Sequence, residues 1–484
     1  MQTGEQNVMD HKTLPRPISH YVQRQEIRKR PASERIRDFG EVSLGLDQEQ
    51  AVTEASRCLQ CPNPTCIRAC PVGIDIPEFI KHIKNNDFEA AGKVLRDRNS
   101  IPEVTGRVCP QEILCEAVCV LAKKGEPIAI GALERFAADY SKGLELTVRE
   151  PTGKKVAVIG SGPAGLTVAA DLRKLGHQVT IYEALHEPGG VLTYGIPAFR
   201  LPKEIMKKAV NYIRLLGVKI EKNIVIGKSL TIDDLLGSGY DAIFIGSGAG
   251  SPKFLGIPGE NLNGVYTANE FLTRCNLMKA YKFPEYDTPI FVGQRIAVVG
   301  GGNVAMDAAR TAVRLGAKKV FIVYRRTENE MPARVDEVRN AKEEGVQFMT
   351  LTNPIRILGD ERSWVKGLEC VKMQLGEPDS SGRRRPVEIK ASNFTIDLDM
   401  VIVAIGQGPN PIIRRTTSQL EVDENGYIIV DDRGRTSRWR VWAAGDIVPG
   451  ADTVIEAMGG GRKATRDIHL FLIRGRNTQC EWLD

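Results

Sequence analysis

No stretch of this chain approaches the ~20 consecutive apolar residues that cross a bilayer. The first thirty residues, with Glu5 and Asp10 among scattered polar groups, also lack a signal-peptide core. A cytoplasmic protein with no membrane span is expected. Charge of one sign is equally scarce: 66 Lys and Arg against 60 Asp and Glu leave +6 over 484 residues, too dilute to point to nucleic acid. The densest basic run near the N-terminus, Arg28-Lys29-Arg30, is flanked by Glu26, Glu34, Asp38 and Glu41 and reads as a solvated or partner-facing helix. Low-complexity tracts and short repeats are missing, and the 42% hydrophobic and 26% charged fractions are those of a globular protein of about three domains.

Past Gly160 there is no redox cysteine pair. Only Cys275, Cys370 and Cys480 remain there, spaced as buried or incidental thiols, which argues against a dithiol reductase. The other seven of the ten cysteines crowd into Cys58-x2-Cys61-x4-Cys66-x3-Cys70-Pro71 and Cys109-x5-Cys115-x3-Cys119. In a reducing compartment such thiols bind metal or do redox work. Zinc sites favour two Cys-x2-Cys knuckles, whereas the run ending in Cys70-Pro71 is nearer a ferredoxin signature, with four residues instead of two in its central gap. Iron–sulfur clusters are therefore favoured over zinc. Seven sulfurs are one short of the eight that two all-cysteine [4Fe–4S] clusters need, so one ligand must come from elsewhere.

The cysteines lie in a helical region in which Gln48 to Arg57, Ile76 to Asn85 and Ile128 to Tyr140 carry apolar residues at three- and four-residue spacing. Around Pro151-Thr152-Gly153 the texture changes, and Val156 to Ile159 begins a buried parallel strand. Gly160-Ser161-Gly162-Pro163-Ala164-Gly165 follows it and opens a helix, the context that lets a pyrophosphate approach helix N-terminal amides. Glu183, 23 residues after Gly160, ends the next strand and is placed to hold an adenosine ribose. This unit suits NAD or FAD. A second strand-turn-helix reads Gly300-Gly301-Gly302-Asn303-Val304-Ala305, but the acidic residue of an NAD site is missing. Arg325 and Arg326 stand there instead, 25 residues past Gly300, and guanidiniums suit the 2′-phosphate of NADP(H). Met400 to Ala404 and Val441 to Asp446 read as returns to the first unit. The expected class is α/β: a helical domain over 1–150, an FAD-binding domain over 151–290 and 400–484, and an NADP(H)-binding domain over 291–399 inserted into it.

Trp442-Ala443-Ala444-Gly445-Asp446 resembles the second FAD motif of two-dinucleotide flavoproteins, which resolves the first unit towards FAD. Gly190, Gly445, Asp446 and Thr453 join the fingerprint residues as its expected contacts, and Thr453 begins a helix whose positive end favours negative charge on the flavin. More broadly, Asp38-Phe39-Gly40-Glu41-Val42, Glu54-Ala55-Ser56-Arg57-Cys58-Leu59-Gln60-Cys61, Gly106-Arg107-Val108-Cys109-Pro110-Gln111-Glu112 and Ile130-Gly131-Ala132-Leu133-Glu134-Arg135-Phe136 resemble the glutamate synthase small-subunit family. The pattern is similar to that of the large subunit of NADH-dependent ferredoxin:NADP oxidoreductase, within the same family. The resemblance implies interleaved ligation, with Cys58, Cys61, Cys66 and Cys119 on one cluster and Cys70, Cys109, Cys115 and Glu134 on the other. It further implies hydride exchange between NADP(H) and FAD, then single electrons through both clusters, with no catalytic side chain. The implied partner is a second redox subunit, either an FMN-containing glutamate synthase subunit or a ferredoxin- and NAD-linked flavoprotein. A self-sufficient homo-oligomeric enzyme is the alternative, and the intact glycines argue against a non-enzymatic scaffold.

Overall fold

A computed structural model describes residues 22–141, 146–379, 382–448, 450 and 452–474. The start of the chain, on which the reading of its first residues rested, and Cys480 lie outside the described residues. The helices expected around the cysteines form at Gln48–Ser56, Ile76–Lys84 and Ile130–Tyr140. Asp47 starts the first of them with a reciprocal capping box to Gln50, and Asp75 caps the second by accepting from the Glu78 amide. Arg28-Lys29 departs from expectation: it is a short strand paired antiparallel with Ser43–Gly45. Its charges are taken up tertiarily, Arg30 by Asp38 at 2.6 Å and Lys29 by Asp336 at 3.6 Å, so no helix is needed to solvate them.

Two five-stranded parallel sheets follow. The first has the order Val441–Ala443, Ala242–Ile245, Lys155–Ile159, Gln178–Tyr182, Lys219–Glu221. The second has the order Gln347–Met349, Lys319–Val323, Arg295–Val299, Met400–Val403, Val265–Thr267. The central strands are buried on both faces, as their unbroken Val and Ile runs require. Two expectations are corrected here. Met400–Val403 does not return to the first unit, because it pairs with Arg295–Val299 in the second sheet. Val265–Thr267, expected in the first unit, is that sheet's edge, and the following helix Ala268–Asn276 packs into the second unit's core through Phe271 and Leu272. All strands of the second sheet thus fall in sequence between Ala242–Ile245 and Val441–Ala443. The two connecting segments meet in a small ribbon, Ser251–Pro252 against Gln407–Gly408. An antiparallel sheet over Thr352–Asp397, not foreseen, completes the second unit.

The cysteine-bearing helices do not form a separate core. One continuous cluster of buried side chains joins Phe79, Ile83, Leu133 and Phe136 of the N-terminal region to Val156, Leu166, Trp442 and Met458 of the first unit. Cys275 and Cys370 are buried, as expected of lone cysteines.

Candidate functional site

Every residue expected to hold FAD, except Gly165, lines one cavity of about 450 Å³. Gly160 makes the turn at φ +94°, and a β-carbon there would sit 2.5 Å from the Gly246 carbonyl oxygen. Gly162, by contrast, has nothing within 4 Å of that position, leaving an open cradle at the start of the Pro163–Lys174 helix where a pyrophosphate meets the amides. Gly165 sits inside that helix against the Gly160 carbonyl. Glu183 is held in place from both sides: one oxygen accepts from the Ser161 amide at 2.9 Å and hydroxyl at 2.5 Å, the other from the Leu185 amide at 2.8 Å. Thr453, which lines the same cavity, caps the Val454–Arg474 helix by accepting from the Glu456 amide at 3.2 Å. Burial pushes the Asp446 carboxyl up to about 6. Tyr194, which sequence reasoning missed, also lines the cavity, and burial beside Asp446 and Glu183 pushes its phenol up to about 12. A cleft lined by both a phosphate cradle and a helix N-terminus fits a flavin dinucleotide.

The seven expected cysteine ligands fall into two groups, and all nine described cysteines are free thiols. Cys58, Cys61, Cys66 and Cys119 line one apolar hollow with Ile76, Ile80 and Ile128. Burial raises Cys58 and pushes Cys66 up to about 11, and neighbouring thiols of the same set add to both. Cys109 and Cys115 are buried more deeply, and burial raises both, with Cys70 and Glu134 contributing at each. Glu134 is not the solvent-facing residue its helix position suggests by itself. It is buried, and one oxygen accepts from Thr105 Oγ1 at 2.5 Å and Asn99 Nδ2 at 3.0 Å. Burial pushes its carboxyl up to about 7, the cost of holding a carboxylate in an apolar site unless a positive centre is supplied. Among the described residues no three Cys, His, Asp or Glu side chains are arranged to hold a single metal ion.

In the second unit Gly300, Gly302 and Asn303 form the same turn ahead of the Asn303–Arg314 helix, with Ala305 buried and Val304 exposed. The arginine pair is split. Arg325 is exposed, while Arg326 is 5% exposed and donates to the Arg384 carbonyl and the Asp379 carboxylate, each at 2.7 Å. The Glu330-Met331-Pro332-Ala333 segment, without evident role in the sequence, lies over the turn: the Ala333 amide donates to the Gly301 carbonyl at 3.2 Å, and Tyr324 Oη to the Glu330 carbonyl at 2.9 Å.

Comparison with known proteins fits these sites. Residues 154–461 match the family model of pyridine nucleotide-disulphide oxidoreductases, and residues 35–145 that of dihydropyrimidine dehydrogenase domain II, 4Fe-4S cluster. The glutamate synthase [NADPH] small chain of Escherichia coli is 39% identical over 93% of this chain and 98% of its own length. The chain belongs to the glutamate synthase small-chain family. The same small chain from Azospirillum brasilense is 36% identical, with 92% and 93% covered. The NADP(+)-dependent formate dehydrogenase subunit beta of Moorella thermoacetica is 40% identical over 90% of this chain and 64% of that one. The solved structure of Mycobacterium tuberculosis FprA in complex with NADPH has the same fold over 69% of this chain and 86% of that one, at 23% identity and a TM-score of 0.57. Family and fold together make this an NADPH-dependent oxidoreductase, a flavin and iron–sulfur electron-transfer subunit.

Proposed function

We propose that this subunit carries two [4Fe–4S] clusters and passes electrons between NADP(H) in the second unit and a partner redox subunit, through FAD, then the Cys70, Cys109, Cys115 and Glu134 cluster, then the Cys58, Cys61, Cys66 and Cys119 cluster. When bound, FAD exchanges a hydride with the nicotinamide and electrons one at a time with iron. The chain's own residues set the route. The observation that carries it is the Val454–Arg474 helix, whose first turn lines the flavin cavity through Val454 and Ala457 and whose Gly459 lies against Pro71, next to Cys70: a β-carbon there would meet the Pro71 carbonyl at 2.9 Å. Flavin site and second cluster loop thus share one helix, with no room for water between them at that contact.

The other set of cysteines supports an exit. Leu59, Val118 and Val120, each adjacent to one of its ligands, are 58%, 41% and 43% exposed, and Thr65 donates to the Val118 carbonyl at 2.7 Å, holding the two loops together. Exposed apolar side chains collected at a redox centre suit a docking partner. Glutamate formation belongs to that partner. The purified subunit, loaded with FAD and iron, is expected to reduce a viologen with NADPH and to form no glutamate from 2-oxoglutarate and glutamine until a second subunit is added. NADPH-dependent glutamate formation by the single chain, free of other polypeptides, would overturn the partner reading in favour of a self-sufficient enzyme.

A further inference from the structure

One side chain leaves the second unit and enters a cluster loop. Arg334 follows the segment that covers the Gly300–Gly302 turn, and its own amide donates to Asn303 Oδ1, the first residue of the helix behind that turn, at 2.9 Å. Its guanidinium reaches the middle of the Cys109-x5-Cys115 loop: Nε and Nη2 fork onto the Glu112 carboxylate at 2.8 and 3.0 Å, and Nη2 also reaches Gln111 Oε1 at 3.2 Å. The side chain is 14% exposed and Glu112 is 32% exposed, so this forked pair is shielded on the arginine side and geometrically specific. Neither Glu112 nor Gln111 is among the proposed cluster ligands. The contact therefore joins a nucleotide turn and a cluster loop through a single residue.

We infer that Arg334 is a positioning residue that couples occupancy of the second nucleotide turn to the reduction potential of the cluster on the Cys109–Cys115 loop. The inference rests on the cofactor placement proposed above. A pyrophosphate entering the turn acts on the amides around Asn303 and on the covering Pro332-Ala333, and Arg334 is the next residue in the chain. A small displacement of its guanidinium relative to Glu112 changes the positive charge felt at the loop. A cluster gains one negative charge on reduction, so a nearer guanidinium favours its reduced state. By reciprocity, reduction of the cluster alters affinity at the turn by the same factor.

The test is a redox titration of the FAD- and iron-loaded protein, read by electron paramagnetic resonance, with and without 2′-phospho-ADP-ribose. This probe carries the pyrophosphate of NADP but no nicotinamide, so it exchanges no electrons. In the wild type it is expected to shift the midpoint of one cluster and leave the other unmoved; a tenfold coupling corresponds to about 59 mV for a one-electron centre. Arg334→Gln and, from the other side, Glu112→Gln should each abolish the shift while FAD and iron contents stay at wild-type levels. Arg334→Lys keeps the charge but cannot fork onto a carboxylate, so it should retain the baseline potential and lose most of the shift. A merely structural role would not separate these variants. An undiminished shift in either glutamine variant, or none in wild type with the probe shown bound, would overturn the coupling alone. Protein that loads neither cluster, or does not bind the probe, would instead sink the underlying placement and the coupling with it.

Discussion

At the scale of single residues, sequence spacing says where candidate groups lie along the chain and little about how they are oriented. The count of seven thiols left one of eight ligand positions open and the family resemblance put Glu134 there; that carboxylate is buried, near enough to Cys70, Cys109 and Cys115 to raise all three thiols. Nothing in the pattern revealed that Thr105 and Asn99 hold it, because such partners are set by tertiary packing. Arg325 and Arg326 were indistinguishable as sequence neighbours, yet one is exposed and the other tied to Asp379 and Arg384. Their substitutions should separate accordingly. Arg325→Ala is expected to raise the NADPH Michaelis constant roughly ten- to hundredfold, the loss of one charge-assisted contact worth about 1.5–3 kcal/mol, while NADH use barely changes. Arg326→Ala should lower the thermal midpoint by breaking the tie to the antiparallel sheet and leave the ratio of NADPH to NADH use near wild type. Steady-state kinetics with both nucleotides, beside thermal melts, tests the division; a specificity change in Arg326→Ala equal to that in Arg325→Ala would refute it.

Among the elements, both fingerprint turns and the capped helices between the cysteines were legible because local periodicity, glycine and capping chemistry specify them. Membership of Met400–Val403 was not: a buried Met-Val-Ile-Val run suits a central parallel strand of either sheet, and only pairing with Arg295–Val299 decides. The Val454–Arg474 helix shows the same limit. Its sequence marks a flavin-site helix, but the close approach of Gly459 to Pro71 is a tertiary fact. A larger side chain there must push helix and loop apart. Gly459→Val is therefore expected to leave reduction of FAD by NADPH near wild type in stopped-flow absorbance and to slow subsequent cluster reduction, with FAD retained. Unchanged cluster reduction in a folded, fully loaded variant would remove this contact from the electron route.

For the whole molecule, the second unit is fastened to the rest through buried charge rather than through the shared apolar core. Glu344, at the end of the Val335–Glu343 helix, accepts from Arg35 of the cysteine-bearing region at 2.8 Å, from Arg310 at 2.8 and 2.9 Å, and from Arg314 at 2.6 and 3.1 Å. Arg200 of the first unit reaches Asp307 at 2.6 Å and Glu337 at 3.4 Å on the same face. Such a junction fixes one relative placement, since any sliding leaves buried guanidiniums without partners. Burial by itself would raise the Glu344 carboxyl, but hydrogen bonds from Arg310 and Arg314 outweigh it and hold the group at about 2. An unfolded glutamate titrates near ~4.3, so the stabilisation is complete above that value and is lost as pH falls from there towards about 2. Asp307 has the opposite sign: burial pushes it up to about 6, so its contribution declines as pH rises through that value. Glu344→Gln should thus cost ~3–5 kcal/mol at neutral pH, the typical penalty for removing one partner of a buried pair. The gap between wild type and variant, measured by denaturant unfolding at a series of pH values, should be constant from pH 7 to about 5 and narrow below pH ~4.3. A gap that stays constant down to pH 3 would show that Glu344 is not the group on which the junction's acid lability depends.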